Sequence, residues 1–138
     1  MKVNLYAPFL LSNLIAPKMV QQKEGKIVNI STIDVMKSYN AESMEYDASK
    51  AALISLTKTL ALQYQPYVNV NCVCPGWIET DMTKQNGEEI NRFFLGKICK
   101  GRFGRPEEIA KVVRFLCSED ADFIDGEVLC VDGGFKNI

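Results

Sequence analysis

Histidine is missing from all 138 residues. With it go the side chain most often used as a general base near neutral pH and the commonest metal ligand. Any acid–base chemistry then falls to Tyr, Lys, Asp or Glu. Neither sign of charge is in excess: 16 Lys and Arg stand against 17 Asp and Glu, for a net charge of −1. A nucleic-acid partner is not expected, because surfaces of that kind are strongly basic. Long apolar runs are lacking too, so no stretch is expected to span a membrane. The five cysteines (Cys72, Cys74, Cys99, Cys117 and Cys130) include no Cys-x-x-Cys pair. This argues against zinc, any other metal site or a disulfide framework, and for buried, reduced thiols in a cytoplasmic protein. Glycine is scarce early on: only Gly25 precedes residue 76, so no Gly-x-x-x-Gly-x-Gly turn exists in that region.

What is present has the pattern of an α/β protein. Residues 26–32, 68–74 and 127–132 read as strands. Cys72 and Cys74 alternate in the second and should share one face. Pro75-Gly76 and Gly133-Gly134 stop the second and third strands. The first sixteen residues begin like a signal peptide, but Asn4, Ser12 and Asn13 interrupt the apolar stretch. Leu5, Phe9, Leu11 and Ile15 instead fit an amphipathic helix. Residues 43–65 have helical spacing, and 106–118 open with Pro106-Glu107-Glu108, a strong helix start. Segment 79–105 reads as a mobile excursion with one or two short helices. Helices between strands imply crossover connections and a parallel sheet. Three parallel strands are few, because such sheets are normally covered on both faces. We expect one partial domain over 1–138, belonging to something larger.

The chemistry centres on Tyr46-Asp47-Ala48-Ser49-Lys50. Positions four apart lie on one helix face, so the Tyr46 hydroxyl and the Lys50 ammonium can enter one site. A nearby cation favours the charged form of an acid, so Lys50 is expected to lower the Tyr46 pKa toward neutrality. Such a phenol can give or take a proton near pH 7. The spacing alone is more often that of a solvated helix face.

Six blocks decide the matter: Val3-Asn4-Leu5, the run ending at Ser31-Thr32, Tyr46-x-x-x-Lys50, and Pro75-Gly76 through Thr80. The last two are Gly101-Arg102-Phe103-Gly104-Arg105-Pro106 with the helix after it, and Gly126 through Gly134. Together, in this order, they resemble the short-chain dehydrogenase/reductases, in the branch that includes 3-oxoacyl-(acyl carrier protein) reductases. The resemblance covers the whole chain but only about the last half of that family's domain. It implies a Rossmann-like parallel sheet with flanking helices, and hydride transfer between NAD or NADP and a small-molecule carbonyl or alcohol. Tyr46 would be the general acid/base, and Lys50 would tune it and hold the nicotinamide ribose. Asn4 would shape its helix so that a water relays protons. Pro75 and Gly76 would pack near the nicotinamide, with the Ile78 backbone and the Thr80 hydroxyl holding the carboxamide. Thr80 reads equally as a helix cap, and Asp132 is left unassigned.

Two departures from that pattern matter. The usual catalytic serine is replaced by Thr32, with Ser31 as the fallback. Alternation along a strand points Thr32 into the site and Ser31 away. The glycine-rich strand–turn–helix that cradles a dinucleotide pyrophosphate has no counterpart, and Met1 lines up with an internal position. The expected fold is therefore truncated, at about three strands. Its strand 26–32 would be an open, apolar edge inviting association. The family pairs the helices matching 1–20 and 43–65 across subunits, which implies a homo-oligomer. The alternative function is a non-catalytic fragment acting through association with itself or a full-length relative; an epimerase-like relative is weaker. Segment 79–105, with Phe93, Phe94, Leu95 and Phe103, would be the substrate lid. Lys23 and Lys26 could receive a carrier protein.

Overall fold

The chain adopts three strands and six helices in a computed structural model that describes residues 1–37 and 43–136. A π-helical turn, Lys2–Tyr6, leads into α1, Ala7–Gln22. Lys23 ends α1 in the left-handed conformation, φ 59°. β1 follows at Gly25–Ile30, then the short α2, Asp34–Lys37. Next come α3, Met44–Tyr64, and β2, Val68–Pro75. The excursion carries α4, Asp81–Lys84, and α5, Glu88–Leu95. The chain closes with α6, Pro106–Leu116, and β3, Val128–Val131.

The sheet order is β1-β2-β3, parallel throughout. Gly25 pairs with Val68 through to Ile30 with Val73, and Cys72 with Val128 through to Pro75 with Val131. β2 is central and covered on both faces, as parallel sheets require. On one face Val68 and Val70 meet Leu60, Ala61 and Tyr64 of α3 and Ala16 of α1. Further along, Cys72 and Cys74 meet Ile33, Ile98 and Phe135. On the other face Val73 meets Leu116 of α6 and Ala121. Each such fully buried aliphatic side chain contributes roughly 1.5–3 kcal/mol.

The two asparagines of β2 have a defined use. Asn69 Nδ2 donates to the carbonyls of Asp122 and Ile124, and Asn71 Nδ2 to that of Ile124 at 2.9 Å. Asn71 Oδ1 accepts from the Glu127 amide. A polar residue in a central strand is tolerated when it is satisfied in this way, and here it pins the loop that delivers β3.

Several expectations need correction. β1 ends at Ile30, so Ser31 and Thr32 lie just beyond the strand. The buried positions of α1 are Ser12 and Ala16, whereas Phe9, Leu11 and Ile15 are exposed. Small residues face inward because α1 approaches the core closely, and its apolar outer face is left uncovered. Cys72 and Cys74 are buried, but Cys99 and Cys117 are exposed; all five are free. The excursion is also tied down. Phe94 stacks on Trp77 at 3.7 Å between ring centres, and Ile98 bridges Phe135. Among the described residues, no helix is long and apolar enough to cross a membrane.

Candidate active site

Three chain segments converge where the strands end. The turn after β1 brings Ser31 and Thr32, the first turns of α3 bring Tyr46 and Lys50, and the end of β2 brings Pro75 and Gly76. α3 is locked to β1 by paired polar contacts. Asn29 Nδ2 donates to Thr57 Oγ1 at 2.9 Å, and Thr57 Oγ1 to the Leu53 carbonyl at 2.8 Å. Ser31 Oγ donates to the Lys50 carbonyl at 2.9 Å. Ser31 is therefore committed to helix backbone, and Thr32 is left to face Tyr46.

Thr32, Tyr46, Gly76, Ile78 and Thr80 line one pocket of about 210 Å³ together with Asp34. Lys50 and Asn4 border a neighbouring hollow of about 550 Å³ along the open side of β1. Five candidates are thus brought together, two lie next door, and Pro75 sits behind them in the strand. The Pro75 carbonyl accepts from the Ile33 amide, and the Gly76 amide donates to the Val131 carbonyl at 3.0 Å. A side chain at Gly76 would meet the Asp132 backbone at 2.7 Å, so this close crossing needs glycine. Thr80 is the N-cap of α4: its Oγ1 accepts from the Thr83 amide, and Thr83 Oγ1 accepts from the Thr80 amide at 2.8 Å.

Asn4 sits within the π-helical turn, a feature often found at functional sites. Its Nδ2 donates to Ser49 Oγ at 3.2 Å, and Ser49 Oγ donates to the Tyr46 carbonyl at 2.7 Å. It therefore reaches the Tyr46–Lys50 turn through Ser49. Lys50 Nζ donates to the Ile30 carbonyl at 2.8 Å and lies 5.7 Å from the centre of the Tyr46 ring. Burial pushes the Lys50 pKa down.

The expected direction for Tyr46 is reversed. Burial first, and the Asp34 carboxylate second, push its phenol pKa above the ordinary value. Hydrogen bonding with Thr32 offsets part of this, and Asp47 adds to the rise. The physical reason is that the phenol is partly buried and an acidic residue shares the pocket, while Lys50 is held on the Ile30 carbonyl. Asp34 Oδ2 accepts from Thr32 Oγ1 at 3.0 Å. Its own pKa is raised by burial, against the Thr32 bond and together with Asp47. The sequence reading passed over Asp34. Its signal was an acid two positions beyond a candidate catalytic hydroxyl.

Asp132, also unassigned from sequence, closes the site from behind. Its Oδ2 lies 2.6 Å from Lys37 Nζ, and its Oδ1 accepts from the Gly134 amide. Asp34 and Lys37 begin and end α2, so this ion pair anchors the helix that places Asp34.

A parallel sheet covered by helices on both faces, with a tyrosine, a lysine and a threonine hydroxyl at its strand ends, defines a Rossmann-like α/β site. The chain belongs to the short-chain dehydrogenase/reductase family: a family model described as enoyl-(acyl carrier protein) reductase matches residues 1–136. It is 49% identical over 135 residues to a 3-oxoacyl-(acyl-carrier-protein) reductase of Aquifex aeolicus, covering 97% of this chain and 54% of that protein. Its counterpart in Thermotoga maritima is 40% identical over 133 residues, at 96% and 54% coverage. Among solved structures, a 3-oxoacyl-(acyl-carrier protein) reductase of Brucella melitensis superposes with TM-score 0.91 at 33% identity. That match covers 96% of this chain and 50% of the other. A Brucella melitensis reductase of the same name with bound NAD gives TM-score 0.87 at 33% identity, covering 96% and 49%. The chain thus spans about half the length of the curated relatives it matches.

Proposed function

We propose that this chain carries the reacting half of a nicotinamide-dependent oxidoreductase that interconverts a small carbonyl and an alcohol. The observation that carries the reading is that Tyr46 and Thr32 line one pocket, with Lys50 one helical turn away. The residues fit the nicotinamide end of a dinucleotide. Gly76 permits a close approach of backbone, Ile78 and Thr80 border the same pocket, and the Lys50 ammonium keeps donors beyond the one given to Ile30. No segment of the chain matches a glycine-rich pyrophosphate turn. Choice between NAD and NADP is not encoded in the residues present.

When bound, the reduced nicotinamide supplies a hydride. The chain's residues do the rest. Once Thr32 turns its hydroxyl proton from Asp34 to the substrate, Thr32 and Tyr46 hold the substrate oxygen between two hydroxyls, and Tyr46 passes its phenolic proton to that oxygen as negative charge develops. The protonated phenol is the form that the reducing direction needs. Lys50 steadies the phenolate left behind, and Asn4, through Ser49, sets the pitch of the turn carrying both. Tyr46→Phe keeps the packing and removes the acid. It is expected to abolish NADH- or NADPH-dependent carbonyl reduction while leaving thermal stability unchanged. Retained turnover in that variant defeats the mechanism.

A second reading is favoured by β1, which among the described residues pairs only with β2. Here the chain works by association, with itself or with a longer relative. Phe9, Leu10, Leu11, Leu14 and Ile15 of α1 and Leu62 of α3 are exposed, and they give the two helices an apolar surface for a second copy. Sizing by light scattering tests the homo-oligomer. Mixing with the N-terminal half of a relative tests the other case: activity that needs the added half favours association, and activity without it favours the first reading.

A further inference from the structure

The pocket holds an acid that the reaction does not use. Asp34 borders it beside Thr32, Tyr46 and Gly76. Among the described residues its carboxylate has no ion-pair partner. Lys37 is taken by Asp132 at 2.6 Å, and Lys50 gives its ammonium to the Ile30 carbonyl at 2.8 Å. The hydrogen bond identified for Asp34 Oδ2 comes from Thr32 Oγ1 at 3.0 Å. An ionised carboxylate carries two oxygens and about four acceptor sites. Acceptor capacity therefore remains within one hydrogen-bond length of the hydroxyl that would hold the substrate oxygen. α2 is fixed at its other end by Lys37, so the carboxylate is anchored by its own helix.

We infer that Asp34 is a specificity-determining residue: its carboxylate takes a hydrogen-bond donor on the carbon next to the reacting one. The substrate class is then an α-hydroxyketone, reduced to a vicinal diol. The inference rests on the reading of this pocket as a carbonyl site. Two oxygens on adjacent carbons are spaced much like Thr32 Oγ1 and Asp34 Oδ2. One can lie between Thr32 and Tyr46, taking the Thr32 proton that Asp34 now accepts, while the other donates to Asp34 in its place. A ketone without the hydroxyl leaves the carboxylate's acceptor unused. A 2-oxo acid places a second anion against Asp34, with Asp47 adding to the negative field, and is turned away. Burial and the neighbouring Asp47, which raise the Asp34 pKa, also make its carboxylate a stronger acceptor.

The test is a set of ligand-observed NMR titrations of the full chain with hydroxyacetone, acetone and pyruvate, all small enough for about 210 Å³. The wild-type chain is expected to bind hydroxyacetone best and pyruvate worst. A hydrogen bond to a charged group makes hydroxyacetone about tenfold tighter than acetone. Asp34→Ala should collapse that preference, and Asp34→Asn should admit pyruvate. Unchanged Trp77 emission in both variants shows that the fold is retained. The same order of affinities in all three proteins, or no binding of hydroxyacetone by the wild-type chain, overturns the inference. The two readings fail separately. A preserved preference without NADH or NADPH oxidation removes the reductase and leaves Asp34 as the selector. A flat preference beside a Tyr46-dependent turnover does the reverse.

Discussion

Replacing Thr57 by Val probes what joins the helix of Tyr46 and Lys50 to the strand that ends beside Thr32. Thr57 is fully buried and Asn29 is 8% exposed. Valine matches threonine in shape, so the cavity is unchanged and the losses are the acceptor for Asn29 Nδ2 and the donor to the Leu53 carbonyl. An amide donor stranded in that setting costs about 1–3 kcal/mol. We take about 2 kcal/mol, since the site is closed to water and, among the described residues, Thr57 is the partner of Nδ2. Thr57→Ser keeps the hydroxyl and loses one methyl group, about 1 kcal/mol. Urea unfolding followed by the emission of the single tryptophan, Trp77, gives the comparison. With a slope of about 1–3 kcal/mol per molar urea for a small domain, the valine variant should unfold about 1 M earlier. The serine variant should lie between it and the wild type. Pairing Thr57→Val with Asn29→Ala should cost less than the sum of the two, because the stranded donor is gone. A valine variant as stable as the serine variant refutes the reasoning.

Two further outcomes follow from the strand ends. Gly76→Ala puts a methyl group 2.7 Å from the Asp132 backbone; overpacking of this kind costs about 1–3 kcal/mol, read as a lower melting temperature and altered Trp77 emission. Asp132→Ala leaves Lys37 without its partner and should cost about 1–2 kcal/mol near neutral pH, discounted because Lys37 is partly exposed. Burial would raise the Asp132 pKa, but the Lys37 bond and the Gly134 amide outweigh it and hold the carboxyl below 3.8. With a depressed pKa, the pair's contribution is complete above that value and fades as pH falls through the folded pKa. Wild type and variant should therefore converge in stability in acid. A gap that stays constant down to pH 2 counts against the pair.

Much of this architecture was legible in the sequence. The runs at 26–32, 68–74 and 127–132 gave three parallel strands because β-branched residues and Pro-Gly or Gly-Gly stops mark buried strands. Tyr46 and Lys50 fell on one helix face, as a spacing of four requires. What was not legible depended on distance through space. Lys50 and Tyr46 share a face, yet the ammonium belongs to the Ile30 carbonyl, and the phenol answers to Asp34. Periodicity also misjudged α1, because Ser12 and Ala16 face the core where backbones come close. Asp34 and Asp132 were missed for one reason: each acts through a partner far away in the chain or across the pocket.

That last tie has a bearing on synthesis. Lys37 and Asp132 are 95 positions apart, and the carbonyl of Phe135 also faces Lys37 Nζ, at 3.5 Å. Chains emerge from the ribosome N-terminus first, so α2 is made long before the residues that anchor it. β1, α3 and β2 can pair and α2 can pack on α3 while the rest is still being translated, but the Lys37 end of α2 lacks its ion pair until Asp132 has left the exit tunnel. Tyr46 is therefore in place before the helix of the acid expected to choose its substrate is fully anchored, and a ribosome stalled shortly before residue 132 would present the proton donor beside a less firmly held selector.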